Sequence, residues 1–328
     1  MQSDPGEDAG GKCPSAVTLD PLVQWLVDAS SAPPYLHELP PVDGRQALRE
    51  SQVHLIEDFD VDATFQLAPV GPSGLVGFWI FRPPRVTGPL PAMLYVHGGR
   101  WMLGDAQTHA RLISELVLSA GVAAVVPEYS RTPEARYPVA IEECYALMTW
   151  AVRHAGELGL DPDRLVAAGD CAGATMATAL TMMAKSRGGP RIRAQLLYYP
   201  ITDAQCDSPS QRQFATGYLL TREALRWYWQ QYSDDPRRQA EPTASPLRAS
   251  LAELAGLPPA LVITAEADVT RDEGEEYASR LRRAGVEVTA ARFLGTVHDF
   301  VSLTALRDSP PTRAALRQGG AYLRGLLS

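Results

Sequence analysis

Cys171 lies at the centre of Gly169-Asp170-Cys171-Ala172-Gly173, directly after the apolar run Leu165 to Ala168. A cysteine attacks as its thiolate, and positive surroundings favour that form. A strand that turns sharply into a helix supplies them. Glycines on either side remove side chains that would clash, and the helix aims free N–H groups and its positive dipole end at the sulfur. The Ala172 N–H is then placed to bind a developing oxyanion. The pentapeptide reads as a nucleophile elbow with cysteine where serine is usual. The competing reading is a buried structural cysteine at a tight turn.

A second glycine pair, in His97-Gly98-Gly99-Arg100-Trp101, follows the short apolar strand Ala92 to Val96. The Gly98 and Gly99 N–H groups, together with that of Ala172, complete a hole for a tetrahedral oxyanion. Losing one such donor typically costs about 3–4 kcal/mol in the transition state. Of the six histidines, His37, His54, His97, His109, His154 and His298, the last stands out. It follows a strand in the loop Gly295-Thr296-Val297-His298-Asp299-Phe300. Asp268 follows another strand in Thr264-Ala265-Glu266-Ala267-Asp268, and it is the candidate carboxylate to orient His298. Nucleophile, acid and histidine then run in the chain order of an α/β-hydrolase. Glu266 and Asp272 compete for the acid role, but Asp272 reads better as a helix N-cap.

The elements that must position these residues alternate along the chain. A helix is expected over Pro21 to Ala29, followed by a Pro-rich passage through Pro33, Pro34, Pro40 and Pro41. HLIEDFDVDATF, from His54, and GLVGFWIFRPP read as two strands forming a hairpin-like sheet edge. Strands are then expected at 92–96, 122–126, 165–168, 194–199, 260–264 and 286–293, with helices at 108–120, 138–154, 172–185 and 273–283. Short apolar strands between amphipathic helices imply a mostly parallel sheet covered on both faces. Residues 1–50 and 204–240 fit this alternation poorly and suit a lid. In the second, the aromatic helix EALRWYWQQY carries Trp227, Tyr228 and Trp229, read chiefly as packing residues.

Composition narrows the function classes. The 328 residues carry 30 basic and 38 acidic side chains, a net charge of -8, with 45% hydrophobic residues. That balance suits a large globular core and offers no basic footprint for nucleic acid or an anionic membrane. No apolar stretch approaches the length of a membrane span. The start, MQSDPGEDAGGKCP, lacks the apolar core of a signal peptide and reads as a disordered tail. The four cysteines, Cys13, Cys144, Cys171 and Cys206, are scattered without Cys-x-x-Cys pairs, which argues against a metal centre and a disulfide framework. A cytoplasmic, reduced protein without a metal or organic cofactor is expected, acting on a small molecule.

These blocks together resemble the hormone-sensitive-lipase-like family of α/β-hydrolases over about residues 60 to 325. HGGRW resembles His-Gly-Gly-Gly-Trp, and GDCAGA is similar to Gly-Asp-Ser-Ala-Gly-Gly. EYSRTPEARYPVAIEEC, TASPLRA, ITAEADVTRDEGEEYASRLRRAGV and GTVHDF match further family blocks in order. The resemblance implies an α/β-hydrolase fold with Cys171, Asp268 and His298 as triad, and Gly98, Gly99 and Ala172 as oxyanion donors. It also implies a core over 51–328 and a cap built from residues before 50 and from 204–240. Family members are often dimers. The chain departs from the family pattern in Cys171 for serine and Arg100 for the third glycine. The Arg100 side chain either meets an anionic substrate group or, the preferred reading, faces solvent or an acidic neighbour. Trp101, Tyr218 and Phe300 are candidates for the acyl pocket or for plain packing. Three functional readings stay open: an esterase-like acyl hydrolase working through a thioester, an acyltransferase, cyclase or thioester-processing enzyme, and a binding protein or inactivated Ser-to-Cys variant.

Overall fold

The computed structural model describes residues 17–52 and 56–327. The expected tail lies outside the described residues, as does His54. At the centre is a sheet of eight strands: β1 (Asp62–Ala68), β2 (Val76–Arg82), β3 (Leu90–Val96), β4 (Ala123–Glu128), β5 (Leu160–Asp170), β6 (Ile192–Tyr198), β7 (Ala260–Ala267) and β8 (Val288–Val297). Their spatial order is β1-β2-β4-β3-β5-β6-β7-β8. β1 and β2 form the expected antiparallel edge, with Phe65 opposite Trp79, and β2 joins β4 antiparallel. From β4 to β8 every pairing is parallel.

The parallel strands read as continuous apolar runs because both faces are covered. Neighbouring residues of β6 show the two layers. Gln195 faces Thr178 of the helix Ala172–Arg187, whose hydroxyl donates 2.7 Å to its side-chain oxygen. Leu196 faces Gly319 of the helix Pro310–Leu327 on the other side, as strand alternation requires. The Thr178 hydroxyl also lies 3.2 Å from the Tyr277 hydroxyl of the helix Arg271–Arg283, which places that helix in the first layer.

The helix Pro21–Ala29 has the expected bounds, with Asp20 capping it by accepting 3.0 Å from the Leu22 N–H. Several expectations need correction. The Pro-rich passage ends in a helix, Pro41–Gln52, because Pro41 occupies the first turn, where its missing N–H costs nothing. β1 begins at Asp62, after a short 3₁₀ turn at Ile56–Asp58. The helix Pro310–Leu327 was not foreseen, although Ala315, Leu316, Gly319, Leu323 and Leu327 are buried at helical spacing. Asp272 is no N-cap: Thr270 holds that position, and Asp272 sits in the first turn, accepting 2.8 Å from the Ser210 N–H. Among the described residues, no helix is long and apolar enough to cross a membrane.

Candidate active site

β3, β5, β7 and β8 deliver four loops to the carboxyl edge of the sheet, the usual ligand-binding edge of an open α/β sheet. After β5, Cys171 takes φ 54° and ψ -125° and starts the helix Ala172–Arg187. Such a conformation costs on the order of 1–3 kcal/mol and persists only where surroundings enforce it. Here the Cys171 N–H donates 2.9 Å to the Tyr198 carbonyl at the end of β6. The flanking glycines are required by close approach. A Cβ on Gly173 would collide with the Val96 and His97 carbonyl oxygens, and one on Gly169 would lie 2.6 Å from the Val96 oxygen.

His298 and Asp268 are fully buried and meet as expected, with Nδ1 2.8 Å from Oδ2. Thr270 fixes the carboxylate, donating from its N–H to Oδ1 at 2.9 Å and from its hydroxyl to Oδ2 at 2.8 Å. Cys171 Sγ, a ring nitrogen of His298 and a carboxylate oxygen of Asp299 all lie within 4.8 Å of one another. Nδ1 is committed to Asp268, so the nitrogen facing the sulfur is Nε2, which has no hydrogen-bond partner and lies 3.6 Å from Asp299 Oδ1. Burial alone would push the imidazole pKa down. The Asp268 carboxylate, with Cys171 and Asp299, outweighs it and holds the group well above the usual range.

In the loop after β3, one of the N–H groups expected to serve an oxyanion is already committed. The Gly98 N–H is taken by the buried Asp170, donating 3.0 Å to Oδ1, which also accepts 2.6 Å from the Tyr95 hydroxyl. Asp170 Oδ2 lies 3.3 Å from His109 Nε2. Burial raises the Asp170 pKa, but His109 and Tyr95 outweigh it, and the carboxyl sits below its ordinary value. The N–H groups of Gly99, Arg100 and Ala172 have no acceptor among the described residues. Gly99, Arg100 and Trp101 all have positive φ, at 107°, 54° and 60°, so the chain turns tightly there, and the Leu103 N–H donates 2.7 Å back to the Gly99 carbonyl.

The Arg100 side chain turns inward and pairs with Asp299, with its guanidinium carbon 5.9 Å from the centre of the Tyr228 ring. Of the preferred reading, solvent or an acidic neighbour, the second holds. Trp101 is buried flat against Tyr232, ring centroids 4.3 Å apart, and Phe300 packs between Tyr199 and Phe293, both at 5.8 Å. Tyr218 stands edge-on to Phe214 at 5.2 Å. Sequence reasoning gave no role to Thr270, Asp299 or Tyr199, whose ring lies 4.9 Å from that of His298, and took Tyr228 as packing. A hydroxyl residue two positions after Asp268 and an acid directly after His298 were the available signals. The two segments outside the alternation meet one another. His37 lies 6.1 Å from Trp227 and 6.4 Å from Tyr228, while Arg45 donates 2.8 Å to both the Met102 and the Thr132 carbonyl.

The profile of the family described as alpha/beta hydrolase fold matches residues 93–302. The chain belongs to that family. Within the α/β-hydrolases, it is 36% identical over 230 residues to an ethyl acetate hydrolase of Pseudomonas putida, covering 69% of this chain and 72% of that protein. A carboxylic ester hydrolase of Mycobacterium tuberculosis is 37% identical over 268 residues, covering 80% of this chain and 68% of that one. The solved structure of a thermostable esterase from Pseudomonas putida superposes with a TM-score of 0.92 at 39% identity, covering 96% of this chain and 99% of the other. The hormone-sensitive-lipase-like, esterase-type resemblance is thus supported over most of the chain.

Proposed function

We propose that this carboxylesterase-like hydrolase cleaves small carboxylic esters through a thioester formed on Cys171. The observation that carries the reading is the buried His298, bonded to Asp268 through Nδ1 and presenting an unpartnered Nε2 toward Cys171. In the scheme, Nε2 takes the Sγ proton while Asp268 fixes the tautomer. Sγ bonds to the ester carbonyl carbon and the C=O pair moves onto oxygen. Collapse expels the alcohol oxygen, which takes the proton from Nε2. Water then attacks the thioester carbonyl, giving its proton to Nε2; the C–S bond breaks to release the acid, and Sγ takes back the Nε2 proton as thiol.

Gly99, Arg100 and Ala172 are the proposed oxyanion donors, since their N–H groups are uncommitted, and Gly98 becomes the anchor that ties the loop to Asp170. Tyr199 and Tyr228 are the proposed aromatic walls, supported by their nearness to His298 and Arg100. The segments 17–52 and 204–240 form the proposed cap, supported by the His37 contacts. Stopped-flow mixing with p-nitrophenyl acetate tests the scheme. Nitrophenol should appear in a burst of about one equivalent per chain, the fingerprint of an acyl-enzyme that accumulates. A burst that survives in Cys171→Ala would refute it.

A further inference from the structure

We propose that Cys171, His298 and Asp299 form a binding site for a borderline-soft divalent ion, zinc, whose occupancy blocks the nucleophile reversibly. The three ligand types, thiolate, imidazole and carboxylate, are those zinc prefers. Tetrahedral zinc with ordinary bond lengths holds such atoms about 3.4–3.6 Å apart. His298 Nε2 and Asp299 Oδ1 are already 3.6 Å apart, and Cys171 Sγ lies within 4.8 Å of both ligand groups. A closure of at most about 1.4 Å by rotation of side chains completes three corners.

The surroundings are those of a metal site. Nε2 is an orphaned nitrogen on a fully buried ring. Its other nitrogen is bonded to Asp268, the carboxylate–histidine arrangement that orients a zinc ligand and raises its basicity. Arg100 engages Asp299 through Oδ2, which leaves Oδ1 for the ion. Its single positive charge opposes a cation, but a Cys171 thiolate, Asp299 and Asp268 outnumber it. Cysteine spacing along the chain argued against a metal centre. The fold supplies what spacing could not, because Cys171 and His298 come from different strands. A serine at this position would offer a neutral, poor ligand, so the property follows from the Cys171 exchange. Cys171 cannot hold zinc and attack an ester together, so the ion acts as an inhibitor that a chelator removes.

Cobalt(II) serves as the spectroscopic probe for the full-length, EDTA-treated protein. The expected result is a thiolate-to-cobalt charge-transfer band in the near ultraviolet with intense tetrahedral visible bands, at one cobalt per chain. Zinc should displace it, following the usual order of affinities. Cys171→Ser should abolish the charge-transfer band, and Asp299→Asn should weaken cobalt binding at least about tenfold. A wild-type protein without the band, a band that persists in Cys171→Ser, or an unchanged affinity in Asp299→Asn would overturn the proposal. The metal readout is independent of turnover: metal-free nitrophenol release that is absent, or unchanged in Cys171→Ala, refutes the ester mechanism and leaves the cobalt result standing.

Discussion

Cys171 is placed by backbone packing, through the Tyr198 carbonyl, the crowded glycines and a helix buried along most of its length. His298 is placed by polar side chains: Asp268 behind it, Thr270 behind Asp268, and the Arg100–Asp299 pair alongside. The difference is one of tolerance. Backbone crowding leaves no slack, so errors on the Cys171 side should damage the fold. Side-chain contacts are removable one at a time, so errors on the His298 side should damage the proposed reaction first.

Removing the proposed base should give the largest effect. His298→Ala is expected to slow the nitrophenol burst about 10²–10⁴-fold, the usual range for a general acid–base group. A smaller loss would mean that the side-chain arm is dispensable. Gly173→Ala should come next, and on the other axis. Its Cβ strikes two carbonyl oxygens, so urea unfolding should show a loss of at least about 3 kcal/mol. A stable variant would show that the elbow has slack after all.

Asp170→Asn joins the two arms and should be milder. It weakens the grip on Gly98 and Tyr95 and disturbs the oxyanion loop. Steady-state assays should show kcat reduced about 10–100-fold with KM little changed, as small misplacements cost rates of that order. An equal rise in KM would place its effect on binding instead.

Glu273 should give the smallest effect, on stability alone. Burial, with Asp203 and Asp268 nearby, raises its carboxyl from an ordinary 4.5 to about 8, although the Thr202 N–H and the Gln211 amide favour the ionised form. Between these values the folded chain keeps a proton that the unfolded chain has released. Stability therefore falls as pH rises from about 4.5 to 8, then levels off. Glu273→Gln has no such proton, and its melting temperature should decline less across that window. Parallel declines would show that Glu273 is already ionised in the fold.

Legibility followed the range of the contacts. The elbow, the order Cys171–Asp268–His298 and the β1–β2 edge rest on local backbone patterns, and a sequence displays those. The pairing of Arg100 with Asp299 spans 199 positions, and the choice of donor in the proposed oxyanion loop turns on Asp170, 72 positions beyond Gly98. The sequence allows an acidic neighbour for Arg100 without singling out Asp299, and nothing local marks Asp170 as the acceptor for Gly98. The helix Pro41–Gln52 was hidden by prolines that read as breakers, though a proline is well placed in a first turn. Asp272 was taken for a cap because it opens a helix, whereas the preceding backbone put Thr270 there.

The central claim is that acyl groups pass through Cys171. Acid-quenching the protein during turnover of p-nitrophenyl acetate, followed by intact-mass and peptide mass spectrometry, tests it most directly. The account predicts one acetyl group on the peptide containing Cys171, appearing and decaying while nitrophenol release continues. An acetyl group on any other residue, or continued release with Cys171 unmodified throughout, would contradict it.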